Sequence, residues 1–293
     1  MSPPTSDLFS VKTIPGAGRG IIANCEISKD TTVLNSEPPV AHVLFREYRK
    51  EVCAQCFLYD RGHHRPNIEE IDQRWKKAQG EADEHVRSRS DTSNALNDPG
   101  RKQAKRAVAS SIDSDILGYL LSGILYHDQQ PDRWREAVLT LAMHDEPYST
   151  THDLEAHCNS FAQLSSIMPV SLLRTCTVQI CRALAAVSSH NAFGIRSGGE
   201  DGEEYMGYGV YPSASCFNHS CHPNVAKQRV GNVWRFWVTE DVRQEDELCI
   251  SYLGGDEKDL NVRQRRGHLQ EVWGFVCECA RCQREAKASQ DGG

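Results

Sequence analysis

Three cysteines within six residues, Cys277-x-Cys279-x-x-Cys282, constrain this chain more than any other stretch. A structural zinc takes four ligands at tetrahedral corners, and thiolates at this spacing supply three. The fourth must come from elsewhere in the chain. A second dense run of polar and metal-competent residues stands well upstream: Cys216-Phe217-Asn218-His219-Ser220-Cys221-His222-Pro223-Asn224.

At 293 residues and 39% hydrophobic content the chain can bury a full core, as one large domain or a domain with an insertion. No apolar run approaches the ~18 residues that span a bilayer, and Met1-Ser2-Pro3-Pro4-Thr5-Ser6-Asp7 lacks a signal-peptide pattern. The 12 cysteines are scattered over a long chain, and the tightest group has metal-ligand spacing, which fits reduced thiols plus a metal better than disulfides. We therefore expect a soluble protein of the cytoplasm and/or nucleus without membrane contact. The net charge of −7 argues against binding by phosphate neutralisation, so no direct nucleic-acid partner is expected; basic partners such as lysine-rich peptides are weakly favoured. Arg101-Lys102-Gln103-Ala104-Lys105-Arg106 is the one basic cluster and reads as a solvated helix start.

Hydrophobic periodicity divides the chain. Val11–Ile14, Gly20–Ala23 and Thr31–Leu34 read as strands separated by Gly- and Asp-containing turns. Residues 69–106 are charged, poor in large apolar side chains and interrupted by Gly80 and Asp98-Pro99-Gly100, the composition of a solvated insertion. Apolar residues then recur at three- and four-residue spacing from Ile112 to Leu125 and from Phe161 to Val187, with Pro169 breaking the second run into two helices. From Asn191 to Leu253 the pattern is β again, most clearly at Val233-Trp234-Arg235-Phe236-Trp237-Val238, with a polar loop over Gly198–Glu204. Residues 284–293 read as a disordered tail.

Four motifs, taken in order, resemble the SET domain of protein lysine methyltransferases, in particular the SET-and-MYND branch. They are Gly16-Ala17-Gly18-Arg19-Gly20; Asn191-Ala192-Phe193-Gly194-Ile195 with the Asn218-His219-Ser220-Cys221 run; Glu245-Asp246-Glu247-Leu248-Cys249-Ile250-Ser251-Tyr252; and Trp273-x-Phe275-x-Cys277-x-Cys279-x-x-Cys282. The resemblance implies a β-rich mixed α+β fold. It comprises a SET domain over residues 9–255 split by an insertion at 53–187 that contains a helical region, and a post-SET zinc element at 263–283. It implies S-adenosylmethionine as cofactor and lysine side chains of histone or non-histone proteins as substrate, with a monomer expected. Gly16, Ala17, Gly18, Asn191, Asn218, His219, Tyr252 and Phe275 would hold the cofactor. Phe193, Tyr252 and Trp273 would line a lysine channel, and Tyr252 would be the catalytic tyrosine. Cys221 would complete one structural zinc site with Cys277, Cys279 and Cys282.

Bare chemistry agrees with these roles. Glycines let a ligand approach backbone, asparagine offers donor and acceptor together, and aromatic faces favour an incoming cation while excluding water. Four thiolates leave no open metal position, which excludes a zinc hydrolase. The competing reading is a SET-fold binding or scaffold protein that keeps the pocket with little turnover. Two departures from the branch stand out. Only Cys53 and Cys56 occupy the place of its eight-ligand finger, with His63 and His64 the nearest further ligand types, so a degenerate or lost finger is expected. The chain also runs only 11 residues past Cys282, so the branch's C-terminal helical repeat domain is not expected here. This short layout resembles fungal SET-domain proteins.

Overall fold

The first two expected strands form a hairpin. Strands β1 (Phe9–Ile14) and β2 (Gly18–Ala23) pair antiparallel from Phe9↔Ala23 to Ile14↔Gly18, around a turn in which Gly16 and Gly18 have φ of 78° and 75°. This is the left-handed region that side chains with a Cβ avoid. The computed structural model describes residues 4, 6–59, 113–138, 141, 150–197 and 204–291. The charged stretch expected at 69–106, His63 and His64, and the core of the polar loop at 198–203 lie outside the described residues.

Three small sheets follow. The hairpin is extended by β10 (Glu247–Ile250), antiparallel to β2, and then by β7 (Asn218–His219), which runs parallel to β10 with Cys249 opposite Asn218 and Ile250 opposite His219. Strands β3 (Thr32–Asn35), β8 (Val225–Val230) and β9 (Val233–Val238) form a second sheet in the order β3-β9-β8. The third is β4 (Ala41–Leu44), β6 (Tyr205–Val210) and β5 (Ala192–Arg196), in the order β4-β6-β5. Phe9, Ile21, Phe217, Trp234, Phe236 and Leu248 are buried together where the first two sheets meet. Burial of each such side chain contributes about 1.5–3 kcal/mol.

The helical insertion packs on the third sheet. Helix α1 (Ser114–Gln129) starts where the Asp113 carboxylate accepts from Asp115 N and Ile116 N. Helices α2 (Pro131–Val138), α3 (Thr151–Ile167), α4 (Val170–Leu173) and α5 (Val178–Asn191) complete it, and Pro169 separates α3 from α4 as the sequence predicts. Leu120, Ile124, Leu164 and Leu184 meet Val43 and Val210 of the sheet, and Val40 just before β4, in one core. That packing fixes α5, and the chain passes directly from its last residue, Asn191, into β5.

The C-terminal cap consists of α6 (Val262–Trp273) and α7 (Ala280–Asp291). The expected disordered tail at 284–293 is corrected through Asp291, which the helix includes. Its anchor is electrostatic: Arg265, 1% exposed on α6, donates to Glu285 at 2.7 Å, and Arg281 donates to the same carboxylate at 2.8 Å. A polar segment looks frayed when the buried cation that holds it lies twenty positions upstream.

Burial also sets a pH limit on the fold. The phenols of Tyr119, Tyr208, Tyr211 and Tyr252 are all pushed above their ordinary value near 10, chiefly by burial. Above that value the unfolded chain loses these protons while the native chain keeps them, so their contribution is full below about pH 10 and is lost as pH rises beyond it. Urea midpoints are expected to fall markedly between about pH 8 and about pH 11; midpoints that stay level would contradict this assignment.

Candidate active site

Parallel pairing of β7 with β10 is the organising feature of the site. It sets Asn218 and His219 beside the end of β10, and the chain leaves that strand through Ser251 and Tyr252. Asn224 clamps the same crossing, its Nδ2 donating to Glu247 O and its Oδ1 accepting from Cys249 N, both at 2.9 Å. Asn218 Nδ2 donates to the Glu247 carboxylate at 2.8 Å. Glycine is demanded at position 20 of β2, because a Cβ there would lie 2.7 Å from Glu247 Oε1 and from Ile14 Cγ1 and 2.8 Å from Asn218 Nδ2. The strand after the glycine turn thus packs directly against Asn218. Gly20→Ala is expected to cost about 1–3 kcal/mol, read as a lower urea midpoint; an unchanged midpoint would show that this contact is loose.

His219 links two parts of the site. Its Nδ1 accepts the Tyr252 backbone N–H at 2.9 Å, so the proton sits on Nε2, which points at Cys221 Sγ 3.2 Å away. One imidazole therefore ties the peptide of Tyr252 to the cysteine cluster. Tyr252 donates its hydroxyl to Phe217 O at 2.8 Å. With its pKa held well above the ordinary range by burial and then by Cys249 and Glu247, it stays a neutral phenol. Its ring lies 5.5 Å from that of Trp273 and 6.3 Å from that of Phe275, and Phe275 is also 6.0 Å from His219.

Tyr252, Trp273, Phe193, Phe217, Ile250 and Lys227 share one cavity of about 290 Å³. That is near the lower end of the ~300–1,000 Å³ of small-molecule pockets and suits one extended side chain. All three residues expected to line a channel are therefore together. Asn218 and His219 lie side by side on β7 with Phe275 of the cap 6.0 Å from His219, and Gly18 opens β2 two residues before the Gly20 that packs against Asn218. Asn191 stands two residues before Phe193 at the end of α5, 3% exposed, with Nδ2 donating to Val187 O. Three residues were given no role by the motifs: Glu247, Asn224 and Lys227. Glu247 stood in a quoted motif and Asn224 closed another; Lys227 carried no sequence signal, because a lysine in a strand ordinarily faces solvent.

The cysteine cluster fits a metal. The ligand atoms of Cys221, Cys277, Cys279 and Cys282 all lie within 4.8 Å of one another, with Cys221 Sγ 3.8 Å from Cys277 Sγ and 3.5 Å from Cys282 Sγ. A tetrahedron with Zn–S of about 2.3 Å has edges of about 3.8 Å. The hydrogen bond from Cys221 pushes the Cys277 thiol below its ordinary value, the direction that favours a metal-ligating thiolate. Cys53 and Cys56 are exposed and belong to no metal-competent group among the described residues. Zinc at the four sulfurs would bind the cap, through Cys277, Cys279 and Cys282, to the loop that follows His219.

The SET domain family model matches residues 18–253, most of the chain. The chain belongs to the SET-domain family. It is 38% identical over 130 residues to the potential protein lysine methyltransferase SET6 of Saccharomyces cerevisiae, covering 44% of this chain and 34% of that protein. It is 38% identical over 82 residues to the human protein-lysine N-trimethyltransferase SMYD5, covering 27% of this chain and 20% of that protein. The matched stretches thus span about a third or less of these relatives' own length. Among solved structures, the SET domain of LSMT bound to lysine and AdoHcy aligns at a TM-score of 0.46 and 14% identity, over 94% of this chain and 54% of that one.

Proposed function

We propose that this protein is an S-adenosylmethionine-dependent protein-lysine N-methyltransferase acting on lysine side chains of histone or non-histone proteins. The observation that carries the reading is the single cavity whose lining includes Tyr252, Phe193 and Trp273, with the Tyr252 and Trp273 rings 5.5 Å apart. The names of the relatives, a potential protein lysine methyltransferase of a yeast and a protein-lysine N-trimethyltransferase of humans, support it. The residues fit the cofactor: the turn at Gly16 and Gly18 leaves open space where Cβ atoms would stand, and Phe275 offers an aromatic face next to His219. When bound, S-adenosylmethionine supplies an electrophilic methyl group on a sulfonium.

The protein's own part is alignment and exclusion of water. Tyr252 Oη keeps lone pairs to accept an N–H from the incoming amine, because its single proton goes to Phe217 O. The rings of Phe193 and Trp273 confine the aliphatic stem, so the nitrogen arrives in one orientation, which is the main source of rate in a displacement of this kind. A lysine ammonium of ordinary pKa ~10.4 must lose its proton before it can attack, and a desolvated cavity favours that loss. Among the described residues no helix is long and apolar enough to cross a membrane.

Incubation with cofactor carrying a labelled methyl group and a histone mixture or whole-cell extract, followed by hydrolysis and chromatography, tests the reading. Label in methyl-lysine supports it. Cofactor binding without any transfer would favour a scaffold that retains the pocket.

A further inference from the structure

Arg265 is a full positive charge buried at 1% exposure between α6 and α7, beside the four sulfurs. Its guanidinium reaches three acceptors of different kinds. Nη1 donates to Leu260 O, while Nη2 donates to Glu285 at 2.7 Å and to Cys282 Sγ at 3.6 Å. A buried cation is costly unless negative charge faces it. Glu285 supplies some, but this carboxylate is 34% exposed and also accepts from Arg281 Nε at 2.8 Å. Two guanidiniums thus share one carboxylate, and the second acceptor of Arg265 Nη2 is a sulfur.

The sulfurs are where such a cation is useful. Zinc held by four thiolates leaves a net negative charge spread over the ligands, and inside a protein that charge is stabilised by donors and cations around it. The chain aims these groups at the ligating cysteines. His219 Nε2 points at Cys221 Sγ 3.2 Å away, Arg266 Nε donates to Cys277 O at 2.8 Å, and Arg281 Nη1 donates to Cys221 O at 3.2 Å. Of these three arginines, Arg265 is the one bonded to a sulfur itself. Its planar fork holds Leu260 O, Glu285 and Cys282 together, which the point charge of a lysine would not do.

We infer that Arg265 is a positioning residue for the metal: its guanidinium offsets the charge of the zinc–thiolate centre through Cys282 and thereby sets how tightly the cap holds its zinc. This rests on the four sulfurs binding zinc and is independent of the reaction performed in the cavity. Arg265 makes no bond to the metal and gives up no proton. Its charge-assisted N–H···S bond draws electron density from the thiolate, so the negative centre is compensated without exposure to water. The effect extends to the cavity, because the helix that carries Arg265 ends in Trp273, one of the lining residues.

The test is the zinc affinity of the full chain, measured by competition with a chromogenic chelator, for Arg265→Met, Arg265→Lys and Glu285→Gln beside the unaltered chain. Arg265→Met is expected to weaken zinc binding by about 10–100-fold. Arg265→Lys, which keeps the charge and loses the fork, is expected to recover part of that loss. Glu285→Gln carries the discriminating sign: removing the carboxylate leaves more positive charge for the sulfurs, so zinc is held as tightly as before or more tightly. An arginine that merely ties α6 to α7 through Glu285 would make both Arg265→Met and Glu285→Gln weaken zinc alike. That result would overturn the inference, as would an unchanged affinity in Arg265→Met. In the cobalt-loaded chain the sulfur-to-metal charge-transfer band is expected to move to lower energy in Arg265→Met, because a thiolate that loses a donor gives up its electrons more readily; a band that stays in place counts against the role. Should Arg265→Met not fold, Arg265→Lys and Glu285→Gln decide by the same signs. An unaltered chain that takes up no zinc would remove the metal site and this role together, while the methyltransferase reading stands.

Discussion

Tyr252→Phe is expected to lower methyl transfer by about 10²-fold or more while leaving cofactor affinity within a few-fold of the unaltered chain. The substitution keeps the ring, and with it the contacts to Trp273, Phe275 and His219, and removes only the oxygen. What is lost is the acceptor that fixes the amine's orientation, together with the bond to Phe217 O. A hundredfold loss corresponds to about 2.7 kcal/mol of transition-state alignment. The vacated bond to Phe217 O costs about 1 kcal/mol of stability, too little to unfold the chain. Single-turnover rates and calorimetric titration separate the two quantities. Full activity in the variant would remove the tyrosine from the mechanism, and lost cofactor affinity would move its role from alignment to binding.

Metal analysis is expected to find one zinc per chain, released by Cys279→Ser or by a strong chelator, with the cap loosened and turnover lost. The physical reason is the density of links that converge on the four sulfurs. Arg265 donates to Cys282 Sγ at 3.6 Å and to Glu285, Arg281 donates to Cys221 O at 3.2 Å, and His219 carries the connection to the Tyr252 peptide. Structural zinc sites of this kind are worth about 10–16 kcal/mol in small domains, far more than any of these hydrogen bonds. Hydrogen exchange over residues 262–291 is expected to accelerate at least tenfold on metal loss, independently of any activity. Exchange that is unchanged in a metal-free sample would show that hydrogen bonds alone hold the cap. Two zincs per chain would mean that Cys53 and Cys56 also ligate.

What the sequence made legible follows from how local each signal is. The Gly16–Gly18 turn, the alternation through Val233–Val238 and the cysteine spacing announce themselves within ten residues, and the structure forms all three. The convergence of Tyr252, Phe193 and Trp273 was available only through the family resemblance, since the three come from β5, the exit of β10 and the end of α6. Two features were invisible from either side. The helix through Asp291 depends on a buried Arg265 that nothing near the tail reveals. Lys227 sits among Ala226, Gln228 and Arg229 in a strand whose pattern reads as solvated, and only the folding of β8 across the exit of β10 turns its ammonium toward Ser251 O.

The most direct test of the central claim places labelled S-adenosylmethionine with the unaltered chain and with Tyr252→Phe side by side, on the same lysine-containing proteins, and reads label in methyl-lysine. Label with the first and a loss of about 10²-fold with the second is the predicted result. Equal label from both, or none from either despite measurable cofactor binding, would contradict the account.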